Sequence, residues 1–420
     1  MMNIGLIGAG GIGAYHLRAI DKHSVVTGEA RLVAVADPSV ERLAASKAEL
    51  AARGVRWHLD YREMLDREDL DAVVIATPIP FHFEMAKACI ERGLFVQLEK
   101  PPVPLIGQLE ELIAADANGR VSVGFQMISA QCTQVLKQSI IDGKLGQVQE
   151  IRAGACWPRF DSYYSRASWA GRMVLGDAPV FDGPATNGLA HIIHDVMYLA
   201  AGERDGFDTP IEMEGEIYRA RPMESYDTAC MRGRFGSGIA FSIAVTHATQ
   251  VELPFRIEVH GTKGWARLSE DGAILESNVG VSCNHPQTTQ QLLDINYAHF
   301  MDVACARRER FSTALPDTRG YVNATNAMLA SSGCIHEIGS SFIGRYTQGD
   351  EKGYNLTDAR SAVKETLKSG RMFSEQGYSW ATAKPAKITL PLDSEATSGI
   401  FFRTAAIPPG IRVKLQKVAA

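Results

Sequence analysis

The chain has 420 residues, of which 45% are hydrophobic and 22% charged, and its formal net charge is −5. This composition is typical of a globular protein with two or three domains, and the acidic balance excludes a general basic surface for nucleic acid. Seven dispersed cysteines without a Cys-x-x-Cys pair argue against a disulfide framework and a structural zinc site, so we expect a cytoplasmic protein.

The first part of the chain, residues 1–127, alternates short apolar runs with amphipathic stretches. Strands are predicted at 3–8, 31–36, 54–58, 71–77, 94–99 and 121–126, and helices at 39–52 and 81–92. Strands that are apolar on both faces are typical of a buried, doubly wound parallel sheet with helices on either side. The N-terminus lacks a basic segment and no apolar run reaches about 18–20 residues, so we expect neither a signal peptide nor a membrane helix.

The pattern changes in residues 128–340, which predict a second α/β domain. We expect strands at 147–157 and 273–277, pairs of strands joined by a turn at 231–245 and 255–268, and helices at 187–201, 288–309 and 320–335. Glycine-bearing turns between the alternating runs indicate antiparallel hairpins. The last residues, 341–420, are rich in Gly, Ser, Thr and Pro, and we predict an extension that packs on the body or on a partner subunit.

A glycine loop follows the first predicted strand and opens a helix. Its residues are Gly8, Gly10, Gly11, Ile12 and Gly13, in the spacing G-x-G-x-x-G of a dinucleotide site. The helix N-terminus adds partial positive charge for a pyrophosphate. At the end of the second strand stands Asp37, where a carboxylate binds ribose hydroxyls and repels a 2′-phosphate. The loop and the acid together predict NAD binding, with NADP less favoured.

The segment FVQLEKPP (95–102) ends the fifth predicted strand with an acid, a base and two prolines. In an open parallel sheet, ligands bind beyond the carboxyl ends of the strands, where both Glu99-Lys100 and Thr77-Pro78 fall. Pro101 keeps Lys100 out of helical geometry. The segment therefore predicts two charged side chains held over the cofactor crevice, although a surface salt bridge at a loop is the alternative.

Four segments carry a resemblance to a known family: IGLIGAGGIGAYHLRAI, AVADPSVERL, VVIATPIPFHFEMAKACIERGLFVQLEKP and IEVHGTKGWARL. They resemble the Gfo/Idh/MocA family of glucose–fructose oxidoreductase, inositol dehydrogenase and relatives, over about residues 1–335. The resemblance implies a Rossmann domain followed by an α/β domain on a large, mostly antiparallel sheet often used for oligomerisation. We therefore expect a homodimer or homotetramer, and a cis peptide bond between Lys100 and Pro101.

The resemblance also implies roles for individual residues. Glu99 would contact the nicotinamide-side ribose, and Lys100 would reach both cofactor and substrate hydroxyl. The cofactor candidates from the family's T-P-x-x-x-H element and from the sixth strand are Thr77, Pro78, His82 and Gln126. Family members often have Asn after that proline, whereas this chain has Ile79, so one ribose contact is in doubt.

The predicted helix at 187–201 carries a polar stripe. At 100° per residue, Asn187, His191 and His194 fall within about 60° of one another. By the resemblance, His191 is the acid/base and Asn187 replaces the family's aspartate; an amide binds a substrate but accepts no proton, so His191 and Lys100 must handle the proton. His194 is a substrate-binding candidate, with capping or cross-linking of the domain interface as the alternative. A metal held by His191, His194 and Asp195 is disfavoured, because no further ligand cluster supports it.

An aromatic and arginine-rich segment, WPRFDSYYSRASWAGR (157–172), follows the seventh predicted strand. Aromatic faces and guanidinium groups suit a polyhydroxylated ring, including one that bears an anion. The substrate-binding candidates are Trp157, Arg159, Tyr163, Tyr164, Arg166 and Trp169. Packing against the C-terminal extension is the alternative for each.

These patterns lead to one main hypothesis and two alternatives. The main hypothesis is an NAD-dependent oxidoreductase that takes hydride from a hydroxyl-bearing carbon of a sugar, polyol or sugar acid, with Lys100, His191 and Asn187 as catalytic residues and no metal. The first alternative is a redox-neutral glycosidase or epimerase that oxidises a sugar ring transiently with bound NAD. The second is a non-catalytic NAD-binding regulator.

Overall fold

The structure, a computed structural model, describes residues 1–392. The helices are α1 (Ile12–Thr27), α2 (Ala44–Ala52), α3 (Tyr61–Arg67), α4 (His82–Glu91), α5 (Ile106–Ala115), α6 (Gln131–Ile141), α7 (Asp161–Ser165), α8 (Ala190–Ala200), α9 (Thr289–Ala304), α10 (Arg319–Ser332) and α11 (Ala359–Ser369). The strands are β1 (Met2–Ile7), β2 (Ala30–Ala36), β3 (Arg56–His58), β4 (Ala72–Ile75), β5 (Phe95–Leu98), β6 (Val121–Val123), β7 (Val148–Cys156), β8 (Val174–Leu175), β9 (Ala178–Pro179), β10 (Pro210–Arg219), β11 (Thr228–Phe235), β12 (Ala240–Thr246), β13 (Leu253–Gly261), β14 (Trp265–Ser269), β15 (Ile274–Ser277), β16 (Cys283–Asn284), β17 (His336–Glu337), β18 (Ile343–Gln348), β19 (Glu351–Leu356) and β20 (Ile388–Thr389).

The chain forms two compact units. The first holds Met1–Val103, Gln108–Ser129 and Gln287–Thr318. Its sheet has six parallel strands in the order β3-β2-β1-β4-β5-β6. This order, which reverses between β1 and β4, is that of a doubly wound dinucleotide fold. The α/β fold class predicted from the alternating apolar runs is confirmed.

The first unit is not continuous in sequence, because α9 belongs to it. The buried side chains Tyr297, Phe300 and Met301 of α9 join the apolar cluster of β1, β2 and β4. Burial of each is worth about 1.5–3 kcal/mol, which holds the helix on this sheet. The sequence analysis placed this helix in the domain 128–340; its apolar periodicity indicates a helix but does not indicate which sheet the helix covers.

The second unit comprises the described residues 104–107, 130–286 and 319–392. Its large sheet has the order β16-β15-β14-β13-β7-β12-β11-β10-β17, with β20 paired to β10. The pairs β7–β12 and β10–β17 are parallel and the others antiparallel. The prediction of a large, mostly antiparallel sheet is confirmed.

The segment after residue 336 has more regular structure than its composition indicated. Strands β18 and β19 form a hairpin, and α11 follows with buried Val363 and Leu367. These side chains pack with Met372, Phe373 and Trp380 against buried residues of β7, β10, β11 and β12. Within the second unit, residues 341–392 therefore form part of the core; the rest of the predicted extension, 393–420, lies outside the described residues.

Two further observations apply to residues 1–392. None of the helices combines the length and the apolar character that crossing a bilayer would require. All seven cysteines are free thiols, and two of them, Cys132 and Cys283, have their Sγ atoms 2.8 Å apart.

Candidate functional site

The glycine loop of the first unit connects β1 to α1 with very little space around it. Gly8 has a φ of +88°, and a side chain there would lie 2.6 Å from the carbonyl oxygen of Ala76. A Cβ on Gly13 would lie only 2.0 Å from the carbonyl oxygen of Gly8. Only glycine permits this turn and this approach of the helix. The N-terminus of α1, at Gly11 and Ile12, thus carries unpaired N–H groups suited to a pyrophosphate.

Asp37 connects the end of β2 to this loop. Its side chain is 5% exposed; Oδ2 accepts a hydrogen bond from the Ala9 N–H at 3.0 Å, and Oδ1 accepts one from the Ser39 N–H at 2.8 Å. Each carboxylate oxygen can accept a second hydrogen bond. The geometry therefore places an anchored acceptor beside the phosphate loop, as a ribose diol requires.

A third charged group near the loop, Arg42, was missed by the sequence reasoning. A Cβ on Gly10 would lie 3.1 Å from Nη2 of Arg42, which also contacts the Ser39 hydroxyl at 3.3 Å. The guanidinium therefore lies against the loop where a pyrophosphate would bind. The signal was present in the sequence only as an arginine five residues after Asp37, a spacing too common to interpret.

Glu99 is anchored by two partners at the end of β5. Its Oε1 accepts a hydrogen bond from Nε2 of His16 at 2.8 Å, and its Oε2 accepts one from the Lys100 N–H at 3.1 Å. The side chains of Glu99 and His16 are 6% and 2% exposed. Burial acts to raise the pKa of Glu99, but the His16 hydrogen bond and the nearby Lys100 charge outweigh it and hold the pKa below its usual range.

The hydrogen bond between Glu99 and His16 explains the charged residues at the end of β5. His16 lies on α1, so the carboxylate connects the phosphate-binding helix to the segment that carries Lys100. The Lys100–Pro101 peptide bond is cis, as the resemblance implied. His16 was missed because it is 83 residues from Glu99. A polar residue on an amphipathic helix carries no signal of such a partner.

His82 connects two loops at the same edge of the sheet. Its Nδ1 lies 2.8 Å from the carbonyl oxygen of Pro101, and its Nε2 lies 2.8 Å from that of Thr77. Burial lowers the pKa of His82. Both ring nitrogens face protein carbonyls, so the geometry favours a positioning role for His82 in holding Thr77 and Pro78, rather than a direct cofactor contact.

Gln126 lies just after β6 and is buried. Its side-chain oxygen Oε1 has no hydrogen-bond partner within residues 1–392. A buried polar atom of this kind requires a partner, which a bound molecule supplies. The narrow glycine turn, the anchored Asp37 and this acceptor together fit a dinucleotide.

In the second unit, the segment before α8 differs from the prediction of one continuous helix. Residues Pro184–Gly188 form a short π-helical turn, and Leu189 interrupts it with a φ of −113° before α8 begins. Asn187 therefore lies outside the regular helix, and the 100° spacing used to place it in one stripe with His191 and His194 does not apply to it. Beside the interruption, Gly188 packs so closely on His247 that a Cβ would lie 2.4 Å from its Nε2.

Asn187 is oriented by a carboxylate that the sequence analysis did not select. Its Nδ2 donates to Oδ1 of Asp182 at 2.7 Å, and Oδ2 of Asp182 accepts from the Gly171 N–H at 2.6 Å. Asp182 is buried. Because Asp182 accepts from the amide nitrogen, the side-chain oxygen of Asn187 is directed away from it, as an acceptor for another donor.

The two histidines of α8 differ in environment. His191 is half-buried at the start of the helix. His194 is fully buried and stacks on Phe207 with ring centroids 4.8 Å apart, and burial lowers its pKa to about 3. His194 is thus packed inside the second unit, and we leave it out of the proposed substrate site. Asp195 is also fully buried, which raises its pKa well above the usual range.

A third histidine, His247, lies beside Gly188, the residue after Asn187, and was missed. It follows β12, and its Nδ1 donates to the Trp157 carbonyl at 3.0 Å, which leaves Nε2 as the unprotonated nitrogen. Burial, together with the charges of Arg159 and Arg166, lowers its pKa to about 3. A lone histidine after a strand carried no signal, because only the pairing of β12 with β7 brings it to Trp157.

The aromatic and arginine-rich segment forms a layered cluster. The Arg159 guanidinium carbon lies 5.2 Å from the Trp157 ring centre and 4.9 Å from that of Tyr163. The Arg166 guanidinium carbon lies 3.6 Å from Tyr163 and 4.7 Å from Trp169. Five of the six predicted substrate-binding side chains of this segment are therefore in mutual contact; the structure places Tyr164 beside them, with its ring 5.1 Å from that of Tyr163.

The hairpin β18–β19 forms an ion pair with the segment that carries this cluster. Asp161 pairs with Arg345 of β18 at 2.8 Å and with the buried Arg221. Arg221 also donates to the Arg159 carbonyl at 2.8 Å. Packing against the C-terminal hairpin thus applies to Asp161 and, through the bridge between Phe160 and Gly353, to the adjoining backbone. The guanidinium groups of Arg159 and Arg166 take no part in these ion pairs.

Within residues 1–392, no group of three or more His, Cys, Asp or Glu side chains is arranged to hold a metal ion. The geometry thus provides a dinucleotide cradle in the first unit and, in the second, an oriented amide, a half-buried histidine and an aromatic cluster with two arginines.

Comparison with known proteins assigns both units. Residues 2–125 match the family model described as "Oxidoreductase family, NAD-binding Rossmann fold", and residues 133–267 match the Gfo/Idh/MocA C-terminal domain. The inositol 2-dehydrogenase of Streptomyces avermitilis is 39% identical over 150 residues, which is 35% of this chain and 42% of that protein. The chain thus spans less than half the length of this relative. The inositol 2-dehydrogenase of Rhizobium meliloti is 26% identical over 63% of this chain and 74% of its own length.

Solved structures show the same fold. The WlbA dehydrogenase from Bordetella pertussis, in complex with NADH and UDP-GlcNAcA, superimposes with a TM-score of 0.67 and 20% identity, over 93% of this chain and 98% of its own. A levoglucosan dehydrogenase in complex with NADH and L-sorbose has a TM-score of 0.66 and 20% identity, over 78% of this chain and 95% of its own. The NAD-binding Rossmann domain predicted from the glycine loop is confirmed.

Proposed function

Because this chain belongs to the Gfo/Idh/MocA oxidoreductase family, we propose that it is an NAD-dependent dehydrogenase acting on a hydroxyl-bearing carbon of a sugar, polyol or sugar acid. The dinucleotide cradle of Gly8, Gly13 and Asp37 carries the proposal. Bound NAD supplies the acceptor for the hydride of the substrate carbon. NAD is favoured over NADP because a 2′-phosphate would lie against the Asp37 carboxylate.

The first unit contributes a cation at the end of β5. Lys100 holds its ammonium group near the hydroxyl oxygen and polarises it as negative charge develops there. Its backbone is held by Glu99, which is in turn held by His16. We propose Lys100 as a catalytic residue and Glu99 and His16 as the residues that position it.

The second unit contributes the proton acceptor. His191, half-buried, takes the hydroxyl proton, a role for which the imidazole side chain is suited. Asn187 orients the substrate by accepting a hydrogen bond from a second hydroxyl, since Asp182 fixes its amide nitrogen. This arrangement supports a division in which Asn187 binds and His191 transfers the proton.

The substrate class rests on the relatives and on the cluster at 157–169. The relatives named inositol 2-dehydrogenase and the levoglucosan dehydrogenase act on, or are named for, polyhydroxylated rings. Aromatic faces such as those of Trp157 and Trp169 pack well against the C–H faces of such rings. A cyclic polyol, sugar or sugar acid therefore fits best.

The test is NADH formation across a panel of polyols, sugars and sugar acids, with wild type, Lys100→Ala and His191→Ala. Removal of a general base or of a polarising cation is expected to lower kcat about 10²–10⁴-fold. Circular dichroism and the melting midpoint serve as folding controls.

Two outcomes would contradict the proposal. If both variants keep wild-type turnover on a responsive substrate, the assignment of Lys100 and His191 is wrong. If substrate is converted without accumulation of NADH, the reaction is redox-neutral and the dehydrogenase proposal is wrong.

A further inference from the structure

Two arginines of the cluster at 157–169 lack the ion pairs that the neighbouring arginines make. Arg221 and Arg345 both pair with Asp161, and Arg172 pairs with Glu224 at 3.3 Å. Within residues 1–392, neither Arg159 nor Arg166 has a carboxylate within ion-pair distance. Guanidinium groups without a carboxylate partner favour an anionic ligand.

The surroundings of these two groups preorganise them. Both guanidinium groups lie over the Tyr163 ring, and Arg166 also donates to the Tyr163 carbonyl. The Arg159 backbone is held by the buried Arg221. Nε of Arg159 is buried and has no hydrogen-bond partner among the described residues. Because the ring and backbone contacts already restrict Arg159 and Arg166, less side-chain entropy is lost when a ligand binds.

The carboxylates near Arg159 and Arg166 either bind other groups or form no ion pair with these arginines. Asp182 acts on Tyr163 electrostatically but is bonded to Asn187 and to the Gly171 N–H. Glu252 lines the same cavity as Arg159 but is exposed and forms no ion pair with it. The positive charge at Arg159 and Arg166 is thus not neutralised within the described part of the chain.

Both arginines are accessible to a ligand, Arg159 from a cavity and Arg166 as an exposed side chain outside that cavity. Arg159, with Trp157 and Phe160, lines a cavity of about 680 Å³, within the usual range for small-molecule sites. Both arginines act electrostatically on His247, which packs against Gly188, the residue after Asn187. A ligand that contacts both Asn187 and the arginines carries hydroxyls for the amide and an anionic group for the guanidinium groups.

We propose that the substrate is a sugar acid whose carboxylate binds to Arg159 and Arg166. This inference rests on the proposed function and narrows its substrate class. A guanidinium fork matches the two oxygens of a carboxylate, and the aromatic rings of Trp157, Tyr163 and Trp169 hold the sugar ring beside it. A neutral polyol leaves both arginines without a counter-ion.

The experiment compares acids with their neutral counterparts: D-glucuronate with D-glucose, D-galacturonate with D-galactose, and D-gluconate with D-sorbitol. NADH formation gives kcat and KM, and the shift in melting midpoint of the NADH-loaded protein gives binding. The variants are Arg159→Gln, Arg166→Gln and Arg166→Lys. The matched control is Arg172→Gln, an exposed arginine of the same segment that already has a carboxylate partner.

We expect one acid to exceed its neutral counterpart in kcat/KM by tenfold or more. Arg159→Gln and Arg166→Gln should lose about tenfold to a hundredfold of that kcat/KM, mainly through KM. Arg166→Lys should recover part of the loss, and Arg172→Gln should behave as wild type. Because Arg166 is exposed, its replacement leaves the folded structure intact, and unchanged NADH binding verifies this.

The outcomes separate this inference from the proposed function. If a neutral sugar or polyol is the better substrate and the arginine variants use it as wild type does, the anion site is wrong and the dehydrogenase proposal stands. Preference for glucose 6-phosphate over every sugar acid overturns the carboxylate assignment. If no compound yields NADH, the dehydrogenase proposal fails, while a melting shift by sugar acids that is lost in Arg166→Gln still supports the anion site.

Discussion

The candidate residues of the two units are held in opposite ways. In the first unit, the charged groups are anchored by hydrogen bonds: Asp37 to the Ala9 and Ser39 N–H groups, and Glu99 to His16 and Lys100. In the second unit, Arg159 and Arg166 retain charge that no described carboxylate neutralises. A rigid, internally bonded set of residues is suited to one invariant cofactor, while a set with unpaired charge is suited to selecting a substrate.

The two sets of residues also differ in how far apart their members lie along the chain. The glycine loop and Asp37 lie within 30 residues of one another, on adjacent strands. The cluster at 157–169 depends on the hairpin β18–β19 and on Arg221, both far along the chain. The first set is therefore expected to tolerate changes elsewhere in the protein, whereas the second set is not.

We expect the largest effect from Gly13→Ala, which adds a side chain where α1 closely approaches the glycine loop. The new Cβ would lie 2.0 Å from the Gly8 carbonyl oxygen, an overlap with backbone that only a shift of α1 relieves. We expect a loss of about 3 kcal/mol in the free energy of unfolding and a loss of about a hundredfold in NADH affinity. Chemical denaturation and calorimetry of NADH binding measure these quantities.

The matched control is Gly107→Ala, at a helical glycine whose Cβ would have no atom within 4 Å. It should stabilise the protein by about 0.5–1 kcal/mol, because alanine loses less backbone entropy on folding. A destabilisation by Gly13→Ala no larger than that of a surface mutation would show that the close approach is not required.

The next effect concerns Asp182→Asn, which tests whether the second unit also depends on an anchored carboxylate. An asparagine there can accept from only one of the two donors, the Gly171 N–H and the Asn187 amide, and the other is left unpaired. We expect a loss of about 2 kcal/mol of stability and a fall in kcat with the better substrate of the panel. NADH affinity should stay at the wild-type value.

The control for this change is Asp142→Asn, at an exposed aspartate that accepts from Gln138. It should leave stability and kcat unchanged. If Asp182→Asn matches this control, Asp182 does not orient Asn187.

A smaller, pH-dependent effect is expected from His16→Leu. The folded-state pKa of Glu99 is depressed below its ordinary value of 4.5, so its contribution to stability is present above the unfolded pKa and is lost as the pH falls through the folded pKa. We expect His16→Leu to destabilise the protein by about 1.5 kcal/mol at pH 7, and by less below pH 4.5. Urea denaturation at several pH values measures the difference.

Lys22→Ala provides the comparison, because it removes an exposed ion pair with Asp294 in the same unit. It should show little effect at any of these pH values. A His16→Leu difference that stays constant from pH 7 to pH 4 would contradict the linkage to Glu99.

The smallest effect is expected from Arg42→Ala. The guanidinium lies against the glycine loop but is exposed, so its attraction for a pyrophosphate is screened by salt. We expect NADH affinity to fall about threefold to fivefold at low salt, with the difference reduced at high salt. Arg67→Ala, at an exposed arginine paired with Glu63 in the same unit, is the control; an equal loss in that variant would exclude a specific role for Arg42.

Local patterns in the sequence determined the parallel sheet, the glycine loop, Asp37 and the Glu99–Lys100 segment, because each depends on residues a few positions apart or on the ends of adjacent strands. Only the tertiary structure decided that His16 holds Glu99, that Asp182 orients Asn187, that His247 lies beside Gly188, and that α9 returns to the first sheet. These contacts join residues by packing and by strand pairing across long stretches of chain. No periodicity or spacing records such partners, since a buried hydrogen bond constrains position in space and not distance along the sequence.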